Sequence, residues 1–252
     1  MEDELLEGFA SRYYLHGRVF YNDAEFLDVL EEPFPPQLGI GGGPEKTLQY
    51  SFEETKTWAS LVGIAGLSLF AGGYLPAASE ERLEILKILL PVYNRGARPL
   101  DLFKRDLPRV WDLRVDKNFD SWHVVGLFNW DYEKEQEVKI DFEKCGLEKS
   151  LGCLLFDFWE KRFLGEGMGS FSRKLAPRHC TIISIHTKAN RPQLLSTTRH
   201  ITQGGIEIVD MKWDNRTNTL SGISIGPKET SHSLFIHVPT KYRLKKTLGV
   251  EV

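Results

Sequence analysis

The chain has 252 residues, of which 41% are hydrophobic and 27% charged, a composition ordinary for a soluble globular protein. Its formal net charge of -3, without a basic patch interleaved with aromatic residues, argues against nucleic-acid binding. The longest apolar run, residues 61–70, is too short to span a bilayer, and the acidic N-terminus is unlike a signal peptide. We therefore expect a cytoplasmic protein that binds neither nucleic acid nor a membrane.

Residues 1 to about 107 carry the signals of an α/β fold. Residues 12–20 are rich in aromatic and aliphatic side chains and predict a strand, or the helix leading into one, that stops at Tyr21, Asn22 and Asp23. The other predicted elements are a loop at residues 34–44, a helix at residues 53–64, a buried strand at residues 66–71 and a helix that begins after Ser79. This order predicts two successive βα units with parallel strands.

From about Trp111 onward the pattern changes to a series of short strands. Within residues 122–130, the side chains of Trp122, Val124, Phe128 and Trp130 alternate onto one side of a strand. Further strands are predicted at residues 138–142, 151–159, 181–187, 205–213, 220–226 and 234–238, and a glycine-rich turn at residues 165–169. The pattern predicts an antiparallel β-sandwich over residues 108–252, with an interior that includes Trp122, Phe128, Trp130 and Phe158.

Cysteine and tryptophan residues each allow a functional and a structural interpretation. The three cysteines, Cys145, Cys153 and Cys180, form no CxxC pair and lack metal-ligand spacing, so we interpret them as buried thiols. Four tryptophans could stack on the apolar faces of pyranose sugars, but their places on alternating strands favour a role in the core. They are Trp122, Trp130, Trp159 and Trp213.

Asn22 and Asp23 are the candidate binding residues of the α/β part. If the strand at residues 12–20 belongs to a parallel sheet, both side chains lie at its carboxyl end, which is the functional face of such sheets. An Asx turn that closes the strand is the structural alternative, and the spacing leaves both open. Asp101 follows Arg98 and Pro99, and we expect it to pair with that arginine.

The order of several motifs resembles the C-terminal portion of glycoside hydrolase family 36, the α-galactosidase and raffinose-synthase-like enzymes. Residues 12–23, with His16-Gly17-Arg18 and Tyr21-Asn22-Asp23, are similar to the family's seventh barrel strand and the turn that follows it. The next segments resemble its seventh helix, eighth strand, eighth helix, barrel exit and sandwich: residues 54–61, 69–75, 79–93, 98–103, 122–130, 156–159 and 199–204. Ala24 and Glu25 depart from the Pro and Asp usual in that turn.

The resemblance implies the end of an incomplete (β/α)8 barrel at residues 1–107 and a β-sandwich at residues 108–252. Enzymes of the family are retaining glycosidases, which need two carboxylates about 5 Å apart. By resemblance these lie at the ends of the fourth and sixth barrel strands, upstream of this chain, so we assign no catalytic residue. Asn22 and Asp23 are the candidate substrate-binding residues. No metal ion or organic cofactor is implied.

The implied function is hydrolysis or transfer of α-linked galactose by a fragment or subunit that is inactive alone. Its expected partners are a galactoside or oligosaccharide, once the barrel is complete, and a chain that supplies the upstream barrel strands. The alternative is a non-catalytic carbohydrate-binding or interaction module derived from the same family.

Overall fold

The computed structural model describes residues 2–29 and 50–249, so the loop predicted at residues 34–44 lies outside the described residues. The helices are α1 (Glu2–Ser11), α2 (Phe52–Ala65) and α3 (Glu80–Lys87). The strands are β1 (Asp23–Asp28), β2 (Ser68–Gly72), β3 (Arg98–Pro99), β4 (Val110–Asp116), β5 (Ser121–Phe128), β6 (Gln136–Asp141), β7 (Gly152–Asp157), β8 (Arg162–Met168), β9 (Ser170–Leu175), β10 (Cys180–Thr187), β11 (Gln193–Thr197), β12 (Ile208–Asp214), β13 (Thr219–Ser224) and β14 (Leu234–His237). None of the helices within these ranges is long and apolar enough to cross a membrane.

Helix α2 confirms the helix predicted at residues 53–64, and local sequence explains both of its ends. The Ser51 hydroxyl accepts a hydrogen bond from the Glu54 amide, and the Glu54 carboxylate accepts one from the Ser51 amide. This capping box satisfies two of the unpaired amides at the helix start. Gly66 ends the helix in the left-handed conformation at φ 65°, which glycine adopts without strain. The predicted strand at residues 66–71 therefore begins two residues later, at Ser68.

Residues 12–20 do not form the predicted strand, and the alternative, a helix that leads into a strand, is nearer to the structure. Residues Tyr13–Leu15 form a 3-10 helix, and the chain then turns through Gly17, whose φ is 68°. The His16 ring closes this turn, because its Nδ1 accepts from the Asn22 amide at 2.9 Å and its Nε2 donates to the Gly66 carbonyl at 2.8 Å. The strand β1 begins only at Asp23 and pairs in parallel with β2.

A six-stranded sheet in the order β3-β4-β5-β10-β7-β8 forms the centre of the molecule, and all of its pairings are antiparallel. The two-stranded sheet β6–β9 contributes to the core against one face, where Val125, Leu127 and Ile183 meet Val138 and Ile140. These two layers confirm the predicted β-sandwich. The glycine-rich turn predicted at residues 165–169 is wrong in part, because residues up to Met168 belong to strand β8.

The opposite face of the six-stranded sheet packs against the helices. Trp122, Phe128, Trp130 and Phe158 are all buried, as predicted, but they share a core with Trp58 of α2 rather than with β6 and β9. Residues of a strand alternate between its two faces, so the predicted alternation is right while the layer that covers it is a helix. One continuous core thus joins residues on both sides of position 107. The domain boundary at that position stays a prediction.

Strand β11 pairs with β14, and β12 pairs with β13 as a hairpin. The hairpin confirms the predicted strands near residues 205–213 and 220–226, which the structure bounds more narrowly at Ile208–Asp214 and Thr219–Ser224. Trp213 of this hairpin is half-buried and belongs to none of the buried clusters of the described residues, so the core interpretation was wrong for this tryptophan.

Candidate functional site

Asn22 and Asp23 lie at the amino end of β1, not at the carboxyl end that the sequence predicted. Asn22 is buried, its side-chain amide donates to the Arg12 carbonyl at 3.4 Å, and its own carbonyl accepts from the Ser68 amide at 3.3 Å. Asp23 is exposed, and its Oδ1 accepts from the Glu25 amide at 2.9 Å. This geometry is that of an Asx turn, in which both residues fix the start of the strand.

The carboxyl ends of the two parallel strands meet at a different set of residues. Asp28 pairs with Gly72 in the register of β1 and β2, and Gly73 and Tyr74 follow directly. In α/β proteins, ligands bind at this edge of a parallel sheet. From the sequence, Asp28 precedes a proline-rich segment and is interpreted as part of a solvated surface. Its place at the carboxyl end of β1 depends on where that strand begins, which only the pairing of β1 with β2 determines.

The face of β1 and β2 that points away from the helices is exposed and aromatic. Phe26 is 66% exposed and Phe70 is 48% exposed, and their rings meet edge to face with centroids 6.3 Å apart. On the other face, Leu27 is buried against the helical core. The parallel pair therefore buries one apolar face against the helical core and leaves the other apolar face exposed.

Asp101 is held by backbone amides and not by the arginine that we expected. Its carboxylate accepts from the amides of Arg109 at 3.1 Å and Val110 at 3.0 Å. Arg98 instead binds Asp112, with Nη2 3.1 Å from Oδ2. The reason is the pairing of β3 with β4, which sets Arg98 opposite Asp112. The Asp101 carboxylate thus fixes the start of β4, and these hydrogen bonds make it a poor candidate for a catalytic acid or base.

The described residues contain one group of His, Cys and Asp side chains close enough to hold a metal ion: Asp112, His123 and Cys145, whose donor atoms all lie within 4.8 Å of one another. His123 Nδ1 donates to Asp112 Oδ1 at 2.7 Å, while Arg98 donates to Oδ2. Burial and the Asp112 charge both raise the pKa of the Cys145 thiol. Both oxygens of Asp112 already accept hydrogen bonds, one of them from the Arg98 guanidinium, so we interpret this group as a hydrogen-bonded anchor between β4, β5 and the sandwich core.

Comparisons with solved structures reveal glycosidases as neighbours, whereas no protein-family model and no curated protein matches the sequence significantly. A GH27 β-L-arabinopyranosidase from Geobacillus stearothermophilus superimposes with a TM-score of 0.57 at 22% identity, over 75% of this chain and 43% of that enzyme. A putative α-N-acetylgalactosaminidase from Bacillus halodurans gives 0.53 at 18% identity, over 74% and 45%. A putative α-galactosidase from Bacteroides fragilis gives 0.51 at 20% identity, over 73% and 37%.

The chain spans less than half the length of these neighbours, and identities this low establish the fold alone. The neighbours include GH27 enzymes, whereas the sequence resemblance pointed to family 36. The predominance of strands over helices matches the C-terminal β-sandwich part of such enzymes. The chain therefore has the fold of the β-rich C-terminal part of α-galactosidase-type glycoside hydrolases.

Proposed function

We propose that this chain is the C-terminal part of an α-galactosidase-like glycoside hydrolase, which becomes active when further strands complete its barrel. The observation that carries the proposal is the exposed Phe26–Phe70 face of the parallel pair β1–β2. In a (β/α)8 barrel, the face of each strand opposite to its helix points into a packed interior. Two parallel strands with an exposed aromatic face therefore match two neighbouring strands of a barrel whose other strands are missing.

The catalytic pair of carboxylates belongs, in this proposal, to the strands that complete the barrel. Retaining hydrolysis uses two carboxylates about 5 Å apart, one as nucleophile and one as acid and base. Among the described residues, Asp101 is the buried carboxylate closest in sequence to the barrel strands, and backbone amides already bind it. We therefore expect no turnover of an α-galactoside by this chain alone, since acid-base assistance is by itself worth about 10²–10⁴-fold.

Asn22 and Asp23 have a positioning role in this proposal. They set the start and register of β1, and so the place of its carboxyl end at Asp28, the edge at which we propose that the sugar binds. Direct contact between a sugar and Asn22 or Asp23 stays a prediction. Asp23→Ala in the completed enzyme tests it: a sugar contact would raise KM, whereas a positioning role would lower stability and kcat together.

The glycoside hydrolase family, the reaction and the cellular compartment are part of the same proposal. The order of motifs from residues 12 to 204 favours family 36, with hydrolysis or transfer of α-linked galactose as its reaction. All three cysteines are free thiols, which suits a reducing compartment such as the cytoplasm.

The test is an activity assay with p-nitrophenyl α-galactoside. The chain alone should be inactive, and the polypeptide that joins it to the segment encoded upstream should turn over the substrate. Phe26→Asp should abolish this gain, because a charge would be buried in the barrel interior. Met168→Asp, at a 66% exposed position on β8, is the matched control and should leave the gain intact. Activity of the chain alone would overturn the proposal.

A further inference from the structure

A cleft lies away from the parallel strands, between the β12–β13 hairpin and the loops at residues 119–120 and 189–191. Its volume is about 480 Å³. This falls within the roughly 300–1,000 Å³ that small-molecule sites occupy. Its lining combines the rings of Phe119 and Trp213 with polar side chains, which include those of Asp120, Arg191, Lys212 and Asn215.

Trp213 supplies the apolar wall of the cleft. It stands two residues after Met211 on β12, so both side chains project from the same face of the hairpin. Two neighbours hold the indole in place. Its Nε1 donates to Asn215 Oδ1 at 2.6 Å, and the Tyr242 ring meets it edge to face with centroids 5.2 Å apart. An aromatic ring held rigid in an open cleft loses little conformational entropy when a ligand stacks on it.

The polar lining has hydrogen-bonding capacity to spare. From the described residues, the Asp120 carboxylate accepts one bond, to Oδ1 from the Ser121 amide at 2.8 Å. To the part of the chain that the structure describes, Arg191 donates only from Nη1, to the Pro192 carbonyl at 3.3 Å, which leaves Nε and Nη2 for a ligand. Partial burial raises the pKa of Asp120, and the nearby charge of Arg191 opposes this rise. The cleft thus offers a free acceptor and free donors beside one aromatic wall.

We propose that this cleft binds a neutral saccharide as a non-catalytic site. A pyranose presents C–H groups on its faces and hydroxyls around its edge, and each hydroxyl both donates and accepts. The aromatic wall can stack on the C–H groups, and Asp120 and Arg191 can accept from and donate to the hydroxyls. The lining carries one carboxylate, Asp120, and two cations, Arg191 and Lys212, so the choice of a sugar over an anion rests on the aromatic wall and not on charge. The choice of a saccharide rests in part on the proposed glycosidase function, while the cleft itself does not.

Ligand-observed saturation-transfer NMR on the full 252-residue chain tests the proposal, with methyl α-galactoside and raffinose as probes and sorbitol as the non-pyranose control. Both sugars should receive saturation and sorbitol should not. Trp213→Ala should weaken binding about ten-fold or more, and Trp213→Phe should keep most of it because the stacking face remains. Tyr132→Ala, which removes an exposed aromatic ring outside the cleft, should bind as wild type does.

Arg191→Ala separates a built site from loose stacking, because it removes free donors without touching the indole. It should weaken raffinose binding by about ten-fold, the usual effect of a lost hydrogen bond to a charged group. Equal binding by wild type, Trp213→Ala and Arg191→Ala would overturn the proposal, as would saturation of no sugar at all. These measurements need no catalysis, so they stand whether or not the completed enzyme hydrolyses galactosides. In an active completed enzyme, Trp213→Ala should leave turnover of p-nitrophenyl α-galactoside unchanged.

Discussion

The close approach of α2 to the six-stranded sheet is tested most directly by Gly126→Ala. Gly126 lies in β5, on the face that packs against α2. A Cβ atom at this position would lie 2.5 Å from Cε2 of Phe128 and 2.7 Å from Cδ1 of Ile64. Real Cβ contacts essentially never fall below 3.0 Å, so both side chains, or the backbone of β5, have to move.

The packing around both side chains opposes that movement. The Phe128 ring stacks on Trp130 with centroids 4.9 Å apart and planes inclined by 4°, and Ile64 is fully buried. Overpacking of such a core costs about 1–3 kcal/mol, against which replacement of Gly by Ala in a strand returns roughly 0.5–1 kcal/mol. We therefore expect Gly126→Ala to lower the free energy of unfolding by about 1–2 kcal/mol.

Urea unfolding followed by tryptophan fluorescence measures this change. Gly152→Ala is the matched control, because Gly152 begins β7 and an added Cβ there would contact only Lys188, at 4.0 Å. The control should be neutral or slightly stabilising. A Gly126→Ala protein as stable as the control would refute the reasoning, since it would mean that α2 does not press on β5.

Two further predictions concern buried polar groups. Burial lowers the pKa of both His186 and His200 to about 4, so each is neutral in the folded protein at pH 7. The unfolded chain takes up these protons near pH 6.5, so stability should fall as the pH drops from about 6.5 to about 4, by on the order of 3 kcal/mol for each histidine. His186→Gln should remove about half of this dependence in urea titrations at pH 7.5 and pH 5, and an unchanged slope would contradict the assignment. Asp112→Ala should cost about 3 kcal/mol in the same assay, because the buried His123 N–H and the Arg98 guanidinium lose their shared acceptor. Asp112→Asn, which retains an acceptor for His123, should cost less, and equal costs for the two variants would count against the anchor interpretation.

Several features of this fold follow from the sequence because local chemistry determines them. The capping box of Ser51 and Glu54 and the left-handed Gly66 bound α2 whatever packs around it. The alternation of large apolar residues between Trp122 and Phe128 marks β5, because only a strand puts every second side chain on one face. The resemblance to α-galactosidases likewise anticipated the fold of the structural neighbours, although not their family.

Other features depend on partners that are distant along the chain, and these the sequence did not reveal. Residues 12–20 have the composition of a strand, but the His16 ring bonds to Asn22 and Gly66 and makes them a turn, so Asn22 and Asp23 begin a strand instead of ending one. Trp122 and Trp213 stand on strands with similar patterns. The first is buried in the main core, where its Nε1 donates to the Thr202 carbonyl, whereas the second lies on a two-stranded hairpin and belongs to no buried cluster of the described residues. Pattern specifies which side chains share a face, but only tertiary packing decides whether that face meets a core, a cleft or an unfilled barrel.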